Sequence, residues 1–195
     1  MRDEISDRLD VLADDDELKV LVVTGTGSVF SSGFDLREFE RAAGDPEFST
    51  QLWASSDRYH HAVATFPGIA IAACNGPAIA GGFDLAVLCD LRIVASTARF
   101  AHPEYAFGDV VYGPLHDLIG GSLARELCLT GRELSAVEAL ARGLVTRVVD
   151  PEGLADAALE LAERVAVAPR DVLRRTKAKA LSKAATAAGA GTLDL

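Results

Sequence analysis

The chain holds one tryptophan, one methionine and three cysteines, and only 6% of its residues are aromatic. No stripe of Lys and Arg with interleaved aromatics occurs, and a net charge of −10 repels polyphosphate over most of the surface. Both features argue against a nucleic-acid partner. Long apolar runs are also missing: residues 68–74 are far too few to span a bilayer, and the N-terminus MRDEISDRLD reads as a charged helix, not a signal sequence. No membrane association and a cytoplasmic location are expected. Cys74, Cys89 and Cys128 are odd in number, lie among apolar neighbours and lack CxxC spacing, so they read as reduced, buried thiols. His60, His61, His102 and His116 form no HExxH pattern, and no metal is expected.

What is present describes a globular α/β protein: 195 residues, 49% of them hydrophobic, 25% charged, with 17 glycines. An amphipathic helix carrying Ile5, Leu9 and Leu12 precedes a buried strand at 18–24. Gly25, Gly27 and Gly33 punctuate the next loop, and a helical region extends from 37 to 65. A second buried strand, 69–74, runs into the glycine-rich turn 75–82 and a helical segment at 83–89. Strands at 91–95 and 98–101 follow, then a helix at 115–129. Ser135-Ala-Val-Glu138 has the form of a capping box, ahead of a strand at 144–149. Pro151 and Pro169 start two last helices, to about 167 and 184, and the low-complexity tail from Ala185 reads as frayed. Strand and helix alternation implies stacked turns with helices packed outside. Residues 1–150 are read as the core and 151–195 as a C-terminal helical segment.

Three placements for chemistry arise from these residues. The loop Gly25-Thr-Gly27-Ser-Val-Phe30 has Phe where a dinucleotide fingerprint needs its third glycine, and no helix opens there. Ser31 and Ser32 lack a GxSxG elbow and an assignable His partner. The third feature is a pair of glycine turns, each following a buried strand. Gly33 permits an unusual backbone angle that lets the N–H of Phe34 face a ligand, and Gly81 opens a helix whose first N–H groups are unsatisfied. Two donors aimed at one point form an oxyanion hole, each contributing roughly 3 kcal/mol to a transition state that builds charge on oxygen. The same glycines would also serve as tight turns between packed elements.

Four segments carry a resemblance. Val22-Val-Thr-Gly25 with Phe30-Ser-Ser-Gly33-Phe-Asp-Leu36 comes first, then Asn75-Gly-Pro-Ala-Ile-Ala-Gly-Gly-Phe-Asp-Leu-Ala86 with Cys89-Asp90. Phe100-Ala-His-Pro-Glu104 with Gly108 is the third, and Leu129-Thr-Gly131 through Ala139 to Gly143-Leu-Val145 the fourth. In this order, over about residues 18–150, the chain resembles the crotonase (enoyl-CoA hydratase/isomerase) family. The resemblance implies an α/β crotonase-like (ClpP/crotonase) fold of stacked ββα turns with C-terminal helices. It places the oxyanion N–H groups at Phe34 and Gly81 and the acid/base carboxyls at Asp84 and Glu104. Ser32, Gly33, Asp35, Gly82 and Tyr112 would contact substrate, an acyl-CoA, and no separate cofactor is implied. A homotrimer or dimer of trimers is the implied assembly, with the alanine-rich C-terminal helices at the interface.

Hydration needs one carboxyl to activate water and another to deliver a proton, so a pair is the smallest useful set. Read without the resemblance, Asp84 would favour the first turn of its helix and Glu104 would be a surface loop residue. The chain departs from the family's pattern in three ways. Asp84 stands where the hydratases usually have Glu, shortening the reach by one methylene. The first helix opens the sequence, without the family's N-terminal hairpin and Asn-Ala-Leu-type segment. Val111-Tyr-Gly-Pro-Leu115 replaces the usual Pro-Gly-x-Gly-Gly. CoA phosphates would need Arg37 and Arg41, or Arg174, Arg175, Lys177 and Lys179 of the last helix, all of which equally suit a solvated face. The reading is a hydratase-like lyase. Its alternatives are an enoyl- or dienoyl-CoA isomerase, an acyl-CoA thioester hydrolase, or a non-catalytic acyl-CoA-binding subunit.

Overall fold

The run Ile-Ala-Ile-Ala-Ala-Cys has no residue that needs water, and as strand β2 (Ile69–Cys74) it is buried at every position. The computed structural model describes residues 1–184, and the expectation of a frayed tail from Ala185 lies outside them. β2 pairs in parallel with β1 (Val20–Thr24) on one side and β4 (Leu91–Ala95) on the other, and β7 (Arg147–Val149) extends the sheet beyond β4. Val22 sits opposite Ile71, and Ile71 opposite Leu91. Successive side chains of β2 alternate between two apolar clusters. Ala70, Ala72 and Cys74 join a large one with Phe83, Phe100 and Leu115. Ile71 and Ala73 join a smaller one with Leu154, Ala157 and Ala158 of α8 (Leu154–Ala166).

A second small sheet is built from β3 (Ala78–Ile79), β5 (Arg99–Ala101) and β6 (Leu134–Ser135), and Ser31 bridges to Ala78 beside it. Thus β1 leads to Ser31, β2 to β3, and β4 to β5, each followed by a helix or a helical turn. The structure is an α/β fold of stacked ββα turns, as the resemblance implies, closed by α8 and α9 (Arg170–Lys183). Residues that follow the second strand of successive turns therefore fall one above another.

Several boundaries differ from the sequence expectation, each for a local reason. The region 37–65 is two helices after α1 (Arg2–Ala13): α2 (Leu36–Gly44) and α3 (Pro46–Ala64). Asp45 ends the first and caps the second by accepting from Phe48 N, with Pro46 in the first turn. Past α4 (Gly81–Leu88), the expected helix at 115–129 is likewise two, α5 (Gly113–Ile119) and α6 (Gly121–Thr130), because Gly120 adopts φ 78° between them. Ser135 caps α7 (Ala136–Ala141) by accepting from Glu138 N, as its motif predicted. Residues 151–153 form a 3₁₀ turn, so α8 starts at Leu154. The three cysteines are free and buried. Among the described residues, no helix is long and apolar enough to cross a membrane.

Candidate active site

Asn75 lies at the end of β2 and clasps the loop that follows β1. It accepts from Gly25 N at 2.9 Å and donates to Gly27 O at 2.8 Å. Phe30 N donates to Pro77 O and Ile79 N to Ser31 O, so the glycine loop and the turn after β2 are held as one ladder. Gly33 has φ 81°, and a Cβ there would lie 2.7 Å from Gly81 N. The two turns touch at a point where no side chain fits. Ala80 adopts φ 53° and ψ −129°, which costs a non-glycine residue about 1–3 kcal/mol, directly before the helix that Gly81 opens. Neither Phe34 N nor Gly81 N finds a hydrogen-bond acceptor among the described residues.

Beside these donors lies a cavity of about 390 Å³. Its walls are apolar: Phe34, Phe39 and Trp53 form an aromatic cluster with ring centroids 5.2–6.3 Å apart. Ile79, Val110 and Val111 complete the lining, and Asp84 and Glu104 are its carboxyls near the Gly81 turn. A second cavity, of about 480 Å³, is more polar and is lined by Arg2, Asp35, Arg37 and Tyr59 among others. Ser32, Phe34 and Gly81 line both cavities and form the ridge between them.

Asp84 is buried in the first turn of α4. Burial pushes its carboxyl up to about 7; nearby His102 pulls downward, and nearby Glu104 pushes upward. Glu104 stands in the 3₁₀ turn Pro103–Ala106 that follows β5, one stacked turn above α4. His102 lies between the two carboxyls. Its Nδ1 is 2.9 Å from Glu104 Oε1 and 3.8 Å from Asp84 Oδ1, and its ring stacks on Phe83 at 4.7 Å.

Of the residues expected from sequence, Ser32, Phe34, Gly81, Asp84 and Glu104 meet at one cavity, with Gly33 at the contact between the turns. Asp35 caps α2 and pairs with Arg37 at the polar cavity. Gly82 is buried against the Ser31 backbone and does not line either cavity. The Tyr112 ring faces His116, and the apolar cavity is lined by its neighbours Val110 and Val111 instead. Arg41 stacks on Phe48 and pairs with Asp45, outside both cavities. Lys177 is corrected outright: its Nζ is buried, donating to Asp90 at 2.7 Å and to Gly68 O at 3.1 Å, and it ties α9 to the sheet. An ammonium desolvated and paired in this way cannot meet a phosphate. Sequence reasoning passed over His102, having weighed its histidines as metal ligands, although it lies inside the third motif. Phe39 and Val110 carried no local signal, and Val111 only that of the altered segment it opens.

The sequence model of the enoyl-CoA hydratase/isomerase family matches residues 1–194. The chain belongs to this family. It is 39% identical over 180 residues to a putative enoyl-CoA hydratase of Thermus thermophilus, covering 87% of this chain and 68% of that protein. A carnitinyl-CoA dehydratase of Salmonella enteritidis is 38% identical, over 78% of this chain and 59% of that one. The chain thus spans about three fifths to two thirds of the length of these family members. Among solved structures, an enoyl-CoA hydratase of Bacillus anthracis superposes with TM-score 0.85 at 33% identity, covering 93% of this chain and 71% of its own. DspI of Pseudomonas aeruginosa gives TM-score 0.86 at 34% identity, over 93% and 70%.

The close contact of the two turns makes one substitution informative. Gly33→Ala is expected to push Gly81 N and the Ala80 methyl away, because the new Cβ would sit 2.7 Å and 3.1 Å from them and φ 81° strains any side chain. For a site in which both N–H groups hold one developing oxyanion, a displacement of this kind is expected to lower turnover about a hundredfold. Steady-state kinetics with an enoyl-CoA checks it; wild-type kcat in the variant would show that the two N–H groups do not act together.

Proposed function

We propose that this protein adds water to a 2-enoyl-CoA, holding the developing enolate oxygen on the N–H groups of Phe34 and Gly81. The observation that carries this reading is the shared ridge. Ser32, Phe34 and Gly81 line both cavities, while Asp84 and Glu104 line only the apolar one. A thioester laid across the ridge puts its acyl chain among Phe34, Phe39 and Trp53 and its carbonyl oxygen at the unpartnered donors. Its CoA arm then runs into the polar cavity, where Arg2 and Arg37 stand.

In that pose, water oxygen bonds the β-carbon and the double-bond electron pair moves onto the thioester oxygen. One carboxyl takes the proton that water loses, and the other delivers a proton to the α-carbon. Asp84 carries its proton up to about pH 7, so an acid stands in the cavity beside a second carboxyl. The donors bind the anionic enolate more strongly than the neutral carbonyl, and catalysis depends on that difference. Trimeric assembly through the C-terminal helices, a cytoplasmic location and the absence of a separate cofactor belong to the same proposal.

The test is the ultraviolet absorbance of the conjugated thioester of crotonyl-CoA on mixing with purified protein. Its loss, with 3-hydroxybutyryl-CoA formed, is the expected result; unchanged absorbance while the CoA ester binds would sink the reading. The proton held by Asp84 also favours a second use, moving a double bond between adjacent carbons. In that case 3-hexenoyl-CoA would gain the absorbance of a conjugated thioester.

A further inference from the structure

His102 is buried completely, one residue past the end of β5, and Pro103 after it keeps its backbone out of the helical region, at φ −115° and ψ 72°. The 3₁₀ turn then brings the Glu104 side chain back over the imidazole. Phe83, the residue before Asp84, stacks on the ring at an interplanar angle of 25°, which stops it from rotating. The ring is thus oriented from both elements that supply the carboxyls.

Its two nitrogens meet different surroundings. Nδ1 faces Glu104 Oε1 at hydrogen-bond distance and Asp84 Oδ1 at 3.8 Å, too long for a hydrogen bond. Nε2 is buried with no partner among the described residues. A nitrogen set against a carboxylate carries the hydrogen, and one with no acceptor is better left as a bare lone pair, since a buried N–H without an acceptor costs about 1–3 kcal/mol. Glu104 Oε2 is likewise buried and without a partner among the described residues, on a residue that lines the apolar cavity. One oxygen of this carboxyl is therefore held by His102, and the other is unengaged.

We propose that His102 is a positioning residue whose Nδ1–H donates to Glu104 Oε1 and leaves Oε2 without a competing partner at the edge of the cavity. A glutamate side chain has three rotatable bonds, and without this anchor it would explore several rotamers. With the anchor, the carboxyl is held beside Asp84, on the same side of the ridge. The kinetic part of this inference rests on the thioester reading above; the hydrogen bond does not.

The experiment combines two readouts. With crotonyl-CoA, His102→Leu is expected to lower kcat about a hundredfold with little change in KM, since what is lost is orientation and not substrate contact. His102→Gln, whose amide can donate from nearly the same place, should recover most of that loss. In parallel, ¹⁵N-histidine NMR of the wild type, assigned by the absence of one signal in His102→Gln, should show a protonated Nδ1 whose proton resonance moves upfield in Glu104→Gln. Equal losses in the Leu and Gln variants, or an unprotonated Nδ1, would overturn the proposal. If His102→Leu does not fold, the Gln variant and the wild-type spectrum still decide. If the wild type leaves crotonyl-CoA untouched, the hydratase reading fails, and the inference stands or falls on the response of the Nδ1 proton to Glu104→Gln alone.

Discussion

Glu104→Gln is expected to lower kcat for crotonyl-CoA hydration by ~10²–10⁴-fold, the range over which a positioned acid or base acts. Gln keeps the shape of the side chain, and its amide oxygen can still accept from His102 Nδ1–H, but it cannot exchange a proton. Ground-state contacts survive, so KM should barely move. The expectation follows from the cavity, where Asp84 and Glu104 stand on either side of His102. Steady-state kinetics of the purified variant beside the wild type is the measurement. A loss smaller than tenfold would remove Glu104 from the chemistry and turn attention to Asp109, the other acidic residue of that lining.

Asp84→Asn should lower kcat by a comparable factor and yet make the fold more stable above neutral pH. The sign follows from the raised carboxyl. Below the unfolded value of 3.8, Asp84 is protonated in both states and its contribution to stability is fully present. Between 3.8 and about 7 the unfolded chain ionises while the buried group keeps its proton, so stability falls as pH rises. Above about 7 the loss is complete, on the order of 4 kcal/mol. Asparagine cannot ionise and escapes this loss. Urea unfolding at pH 8 should therefore show the variant more stable than the wild type, with the two converging towards pH 4. A gap that does not depend on pH would mean that folding does not raise Asp84. An opposition between activity and stability is expected wherever an ionisable group is buried in an apolar pocket.

These two carboxyls show how far local reading reaches. Asp84 and Glu104 are separated by β4 and β5, and their meeting follows from the stacking of equivalent turns, which the repeated order of strand, glycine turn and helix announces. Phe34 and Gly81 were legible for the same reason: Gly33 and the Gly81-Gly82 pair mark places where backbone must approach backbone. The break between α2 and α3 was also written locally, in Asp45 and Pro46, although helical periodicity on both sides of it hid the stop. His102 and Lys177 were not legible, because what each does depends on distant residues. His102 is defined by Phe83 and Asp84 as much as by Glu104, and Lys177 by Asp90 and the Gly68 carbonyl.

By itself, the amino-acid order determined the alternation of strands and helices, though not every boundary, the family resemblance and the positions where glycine lets backbone donors face outward. Those properties are set by side-chain period and by φ/ψ preference within a few residues. Tertiary structure alone decided which charged groups serve the site and which serve the fold. It buried Lys177 against Asp90, turned the Tyr112 ring towards His116, left Val110 and Val111 to line the cavity, and set His102 between two carboxyls. The physical reason is that desolvation and partner distance, which fix what an ionisable group can do, arise only when segments far apart in the chain pack together.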